Sequence, residues 1–71
     1  MKEVEITGEY VELYKVLKFE GAASSGGEAK AAVDAGLVQV NGEVESRKRR
    51  KLVVGDTIEF QSETFKILAK G

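Results

Sequence analysis

Five consecutive cations, Arg47, Lys48, Arg49, Arg50 and Lys51, follow Ser46 in this chain of 71 residues. They are its densest concentration of chemistry-bearing side chains. A guanidinium presents a planar fork of N–H donors that matches phosphate oxygens and can stack on a flat ring, whereas an ammonium acts as a compact point charge. A run of both suits a phosphate-rich ligand. The surrounding composition strengthens that reading. Lys and Arg total 11 and Asp and Glu 12, for a net charge of −1. With +5 gathered at 47–51, everything outside the run carries −6. An evenly acidic shell would serve solubility alone, but a basic patch on an acidic body orients an anionic partner.

Residue types exclude most other chemistries. With no His and no Cys, the chain has no disulfide, no thiolate or imidazole zinc site and no Cys or His catalysis. The acids are scattered and show no calcium-loop spacing. No metal, cofactor or enzymatic activity is expected. The two aspartates have structural uses, Asp34 as a solvated helix residue and Asp56 in a turn. No apolar run approaches the roughly 18 residues a membrane span needs. The segment MKEVEITGEY lacks the apolar centre of a signal peptide. A cytoplasmic protein without a membrane partner is the expectation.

The elements that must position the basic run can be read from periodicity. Val4 and Ile6 alternate with charged neighbours as a strand that Gly8 ends. From about Glu9 to Glu20 the period becomes helical, with Tyr10, Leu13, Tyr14, Val16 and Leu17 on one face and Glu12, Lys15 and Lys18 on the other. This stripe predicts Tyr10 and Tyr14 in the core, with Phe19 off it. Ser25-Gly-Gly-Glu28 reads as a capping box, opening a second helix to about Ala35 that turns Ala29, Ala32 and Val33 inward and sets Lys30 and Asp34 four apart for a weak ion pair. Gly21 and Gly36 supply the helix stops. Leu37, Val38 and Val40 begin a strand, Asn41-Gly42 signals a type I′ hairpin, and Val44 lies on the return. After the basic run come Leu52, Val53 and Val54, a Gly55-Asp56 turn, a strand with Ile58 and Phe60, a Ser62-Glu63 turn, and a last strand with Phe65, Ile67 and Leu68. The order predicts an α+β fold, one domain over 1–71, with a helix pair packed on a small, mainly antiparallel sheet. At this length about 60% of the unfolded surface is buried and stability is about 3–5 kcal/mol.

The segments GAASSGGEAKAAVDAGLVQVNGEV and VVGDTIEF resemble the RNA-binding domain first known from ribosomal small-subunit protein S-four, the alpha-L motif. Its pattern falls on Leu13, Leu17, Gly21, Ser25, Ala29, Lys30, Gly36, Val38, Val40, Asn41, Gly42, Gly55 and Asp56, across about residues 10–60. Within that family the chain is similar to small stand-alone bacterial proteins made of this domain only. It departs from the pattern where Arg is common, with Gly26 after Ser25 and Glu12 before Leu13. The resemblance implies non-catalytic binding of structured RNA, ribosomal RNA or its precursor, and a role in ribosome assembly or translation.

The candidate RNA-binding residues are therefore Lys30, Arg47, Lys48, Arg49, Arg50 and Lys51. Lys18 extends the set if its face turns toward the loop, and Ser25, Gly26 and Gly27 extend it if the start of the second helix receives a phosphate rather than only forming a cap. The expected partner of a monomer is structured RNA, with ribosomal or other proteins as further partners. The alternative is an adaptor that docks an acidic protein through the basic loop.

Overall fold

A computed structural model describes residues 1–70. Nine elements follow one another: β1 (Lys2–Ile6), β2 (Val11–Glu12), α1 (Leu13–Phe19), α2 (Gly26–Asp34), β3 (Val38–Val40), β4 (Glu43–Val44), β5 (Lys51–Leu52), β6 (Thr57–Phe60) and β7 (Glu63–Ala69). Five strands form a sheet in the order β1-β7-β6-β3-β4, and β2 pairs with β5 in a separate two-stranded ladder. All pairings are antiparallel except β1 with β7. The fold is thus α+β, two helices on a mainly antiparallel sheet.

The strands alternate as their sequences require. Val4, Val38, Val40, Ile58, Phe60, Phe65 and Ile67 are buried on one sheet face, against Leu13, Val16, Leu17, Ala29, Ala32 and Val33 of the helices. Small side chains on α2 let it approach α1 closely. Leu52, completely buried, fastens the ladder to this core.

Several expectations are corrected. The first helix starts at Leu13, not near Glu9, because Val11 and Glu12 pair with Leu52 and Lys51. Tyr10 consequently leaves the helical stripe and is 47 % exposed rather than in the core. Tyr14 is half-buried at the edge of the core. The last hairpin turns on Gln61 and Ser62, both left-handed at φ 51° and 66°, with Glu63 already in β7. The Lys30–Asp34 pair does not form among the described residues; each side chain has another partner, described below.

Asn41 and Gly42 take φ of 53° and 85°, as a type I′ turn demands. Asn41 does more than turn the chain. Its Nδ2 donates to Asp56 Oδ1 at 3.0 Å, and its Oδ1 accepts from the Thr57 N–H at 3.0 Å. The Asn41 N–H donates to the Thr57 carbonyl at 2.8 Å. Asp56 Oδ2 in turn accepts from the Val53 N–H at 2.9 Å. The excursion that carries the basic run is thus clamped at its base, where one turn is hydrogen-bonded to the other.

Candidate functional site

The basic loop is held by its own backbone. α1 has no side-chain N-cap, so the first N–H groups of this helix need acceptors from elsewhere. The loop provides them: Leu13 N–H donates to the Arg50 carbonyl at 3.0 Å, and Tyr14 N–H to the Lys48 carbonyl at 3.1 Å. A turn within the loop, from Arg50 N–H to the Arg47 carbonyl, sets the spacing of these acceptors. Immediately afterwards Lys51 and Leu52 pair with Glu12 and Val11. Loop and helix start therefore complete one another, which fixes the cations relative to α1.

Glu45 organises two of the arginines. It is the one buried charged residue among the described residues, only 7 % exposed. Its carboxylate accepts from Arg47 Nε at 3.1 Å, Arg47 Nη2 at 3.1 Å, the Arg47 backbone N–H at 2.9 Å and Arg50 Nη1 at 2.7 Å. A buried carboxylate is tolerated when it is this fully paired. The Arg47 guanidinium, with help from its backbone N–H and from Arg50, holds the Glu45 carboxyl at about 2 against an ordinary 4.5, outweighing the burial that pushes it up. The same contact raises the Arg47 guanidinium further above its ordinary value. Arg47 keeps 71 % of its side chain exposed, and Arg50 29 %.

Tyr14 organises the remainder. Lys30 Nζ of α2 stands 4.7 Å from its ring centroid, and the Arg49 guanidinium carbon 5.7 Å from it. The ring quadrupole attracts both cations, so one half-buried aromatic on α1 draws together α2 and the loop. Lys48 Nζ meets Asp34 Oδ2 of α2 at 2.9 Å. Lys51 Nζ lies 4.9 Å from the Tyr10 ring centroid. Arg47, Arg49, Arg50 and Lys51 line a shallow depression by themselves.

The structure thus brings Lys30, Lys48 and Arg49 onto the Tyr14 side of the helix pair. Lys18 joins them, since a Cβ at Gly26 would stand 3.8 Å from the Tyr14 ring and 4.0 Å from Lys18 Cδ. Arg47 and Arg50 are close by but shared with Glu45. At the start of α2, Ser25 Oγ accepts from the Glu28 N–H at 3.1 Å, whereas the Glu28 carboxylate reaches the N–H of Ser24 at 3.2 Å rather than that of Ser25. This cap leaves the Gly26 and Gly27 N–H groups without a hydrogen bond among the described residues. The reversed charge at Glu12 is offset locally by Lys15, 3.2 Å away.

Glu45, Tyr14 and the carbonyls that cap α1 escaped the sequence reading. No periodicity separates Glu45 from the other acids, although the hairpin register offers a hint. Pairing of Gln39 with Val44 puts Val44 on the solvent face, so the following residue returns inward.

Comparison with known proteins gives consistent results. The sequence model described as S4 domain matches residues 4–68. "Putative RNA-binding protein YbcJ" of Escherichia coli (strain K12) is 45% identical over 60 residues, which cover 84% of this chain and 86% of that protein. "Uncharacterized protein YbcJ" of Shigella flexneri matches with the same identity and coverage. The solution structure of YbcJ from E. coli, described as revealing an alfaL motif involved in RNA-binding, superimposes with a TM-score of 0.69 at 40% identity, covering 96% of this chain and 85% of that one.

Proposed function

The chain belongs to the S4 domain family, and on that premise we propose that it is a non-catalytic, monomeric binding module for structured RNA, with ribosomal RNA or its precursor as ligand. One observation carries the reading. The basic loop is pinned to the start of α1 by its backbone and gathered toward α2 by Tyr14, so cations from three segments can meet one ligand. Phosphate contacts with counterion release supply affinity. A-form RNA is recognised through shape, phosphates and 2′-hydroxyls rather than through its buried base edges, and this surface offers the matching donors: Lys30, Lys48, Arg49 and Lys51, with Arg47, Arg50 and Lys18 beside them. The acidic remainder of the chain opposes adhesion in other orientations.

The test is titration against a folded ribosomal RNA fragment at several salt concentrations. Neutralising about four to five phosphates gives log K against log[salt] a slope of roughly −3 to −4.5. No binding, or binding indifferent to salt, overturns the proposal. Loss of an acidic protein partner on disrupting the loop, with RNA binding intact, would support the adaptor reading instead.

Gly26 offers a gain-of-function test. The space around it accepts a side chain, its nearest neighbours being ordinary contacts with Tyr14 and Lys18. Gly26→Arg should add about one phosphate contact, raising affinity by about threefold to eightfold and steepening the salt slope by roughly 0.7–0.9. An unchanged slope would remove the start of α2 from the interface.

A further inference from the structure

Two aromatic side chains stay outside the core, Tyr10 at 47 % exposure and Phe19 at 67 %. Sequence distance separates them, but the fold sets both on one groove of about 350 Å³ with Ile6, Val11 and Val16. Tyr10 also carries Lys51 of the basic loop against its ring. The groove therefore begins where the cationic surface ends.

Resting on the RNA-binding reading, we infer that this groove takes an unpaired nucleobase of the bound RNA, stacked on Tyr10 and Phe19, with Lys51 on the adjoining phosphate. Three features select a base over other occupants. Exposed aromatic rings beside a cation match the two halves of a nucleotide, a flat π face and an anion, and every base offers such a face. The charged residues of the groove are Glu5, Glu20 and Lys70. Two carboxylates repel a phosphate from the interior, yet they can accept from the ring and exocyclic N–H groups that unpaired bases present. The volume lies near the lower end of the roughly 300–1,000 Å³ typical of small-molecule sites, enough for a base and too little for a peptide helix. In a paired stem this site would stay idle, because the bases of an A-form helix are not free to stack on protein.

The experiment uses the full chain and two RNA hairpins with the same stem, one fully paired and one with a single bulged nucleotide. The wild type should bind the bulged hairpin more tightly, by about fivefold to a hundredfold. Phe19→Ala should remove most of that preference while leaving affinity for the paired hairpin unchanged, Tyr10→Ala should likewise remove most of it, and Tyr10→Phe should retain it. Thermal melts check that these exposed positions tolerate the changes. Equal wild-type affinity for both hairpins overturns the inference and leaves the RNA-binding reading standing. Equal weakening of both hairpins by the alanine variants also overturns it, since the rings would then serve the general surface. Failure to bind either hairpin overturns both readings.

Discussion

Charge reversal at Arg49 and Lys51 together should lower affinity for a folded RNA about fifteenfold to thirtyfold at 0.15 M salt and flatten the salt slope by roughly 1.4–1.8, with a cooperative thermal transition retained. Each lost phosphate contact removes about 0.7–0.9 from the slope, and two contacts at that salt concentration give the stated loss. The cost to stability is limited because both side chains are exposed: Arg49 loses its contact with Tyr14 and Lys51 its contact with Tyr10, each worth about 0.5–1 kcal/mol at exposed sites, and the new carboxylate at 51 faces Glu12 across the β2–β5 ladder. The same reversal at Arg47 and Arg50 should behave differently. Those guanidinium groups neutralise the buried Glu45 carboxylate, and new carboxylates there would leave it buried with no counter-charge and with like charges beside it. That variant should lose its cooperative thermal transition, and its loss of RNA binding would say nothing about contact. Four of the five cations therefore fall into two pairs, separable by measuring affinity and melting together, while Lys48 is held apart from both by Asp34. If Arg49→Glu with Lys51→Glu melts early while Arg47→Glu with Arg50→Glu melts normally, this division is wrong.

The division was invisible in the sequence, where the five cations look alike. What the sequence did carry was periodicity and turn chemistry. The inward Leu13, Val16 and Leu17 of the first helix, the inward Ala29, Ala32 and Val33 of the second, the Asn41-Gly42 hairpin and the stops at Gly21 and Gly36 each follow from a local rule, and each is found in the structure. The failures share one physical cause. Where α1 begins, which way Tyr10 points and which charge Glu45 meets are all decided by segments distant in sequence. Helical period alone extended α1 back to Glu9, because nothing local announces that Val11 and Glu12 will pair with Leu52 and Lys51. The missing N-cap was a clue of a different kind: no Ser, Thr, Asp or Asn precedes Leu13, so something else had to accept the first N–H groups. That acceptor is the basic loop. Likewise nothing local announces that Asn41 and Asp56, each sufficient as a turn residue by itself, join their side chains in a hydrogen bond.

Glu45→Gln should destabilise the protein by about 1–3 kcal/mol at pH 7, a large share of the roughly 3–5 kcal/mol available to a domain of this size. The amide keeps the shape and can still accept through its oxygen, but it loses the charge that strengthens the hydrogen bonds from Arg47 and Arg50. The pH profile identifies the cause. In the folded chain the Glu45 carboxyl is held at about 2, below its ordinary 4.5, so the unfolded chain takes up a proton first as pH falls. The stability this group contributes is complete above about pH 4.5 and is lost progressively down to about pH 2. Wild type and Glu45→Gln should therefore differ most in melting temperature at neutral pH and converge across that window. A constant gap from pH 7 to pH 2 would mean that shape or packing, rather than ionisation, is what Glu45 contributes. Coupling supplies the second check. Once Glu45 is neutral, Arg47→Gln removes an interaction already weakened, so the double variant should be less destabilised than the two single effects added together. Strict additivity would show that Arg47 and Glu45 act independently, and the loop would then owe its position to the backbone carbonyls that cap α1.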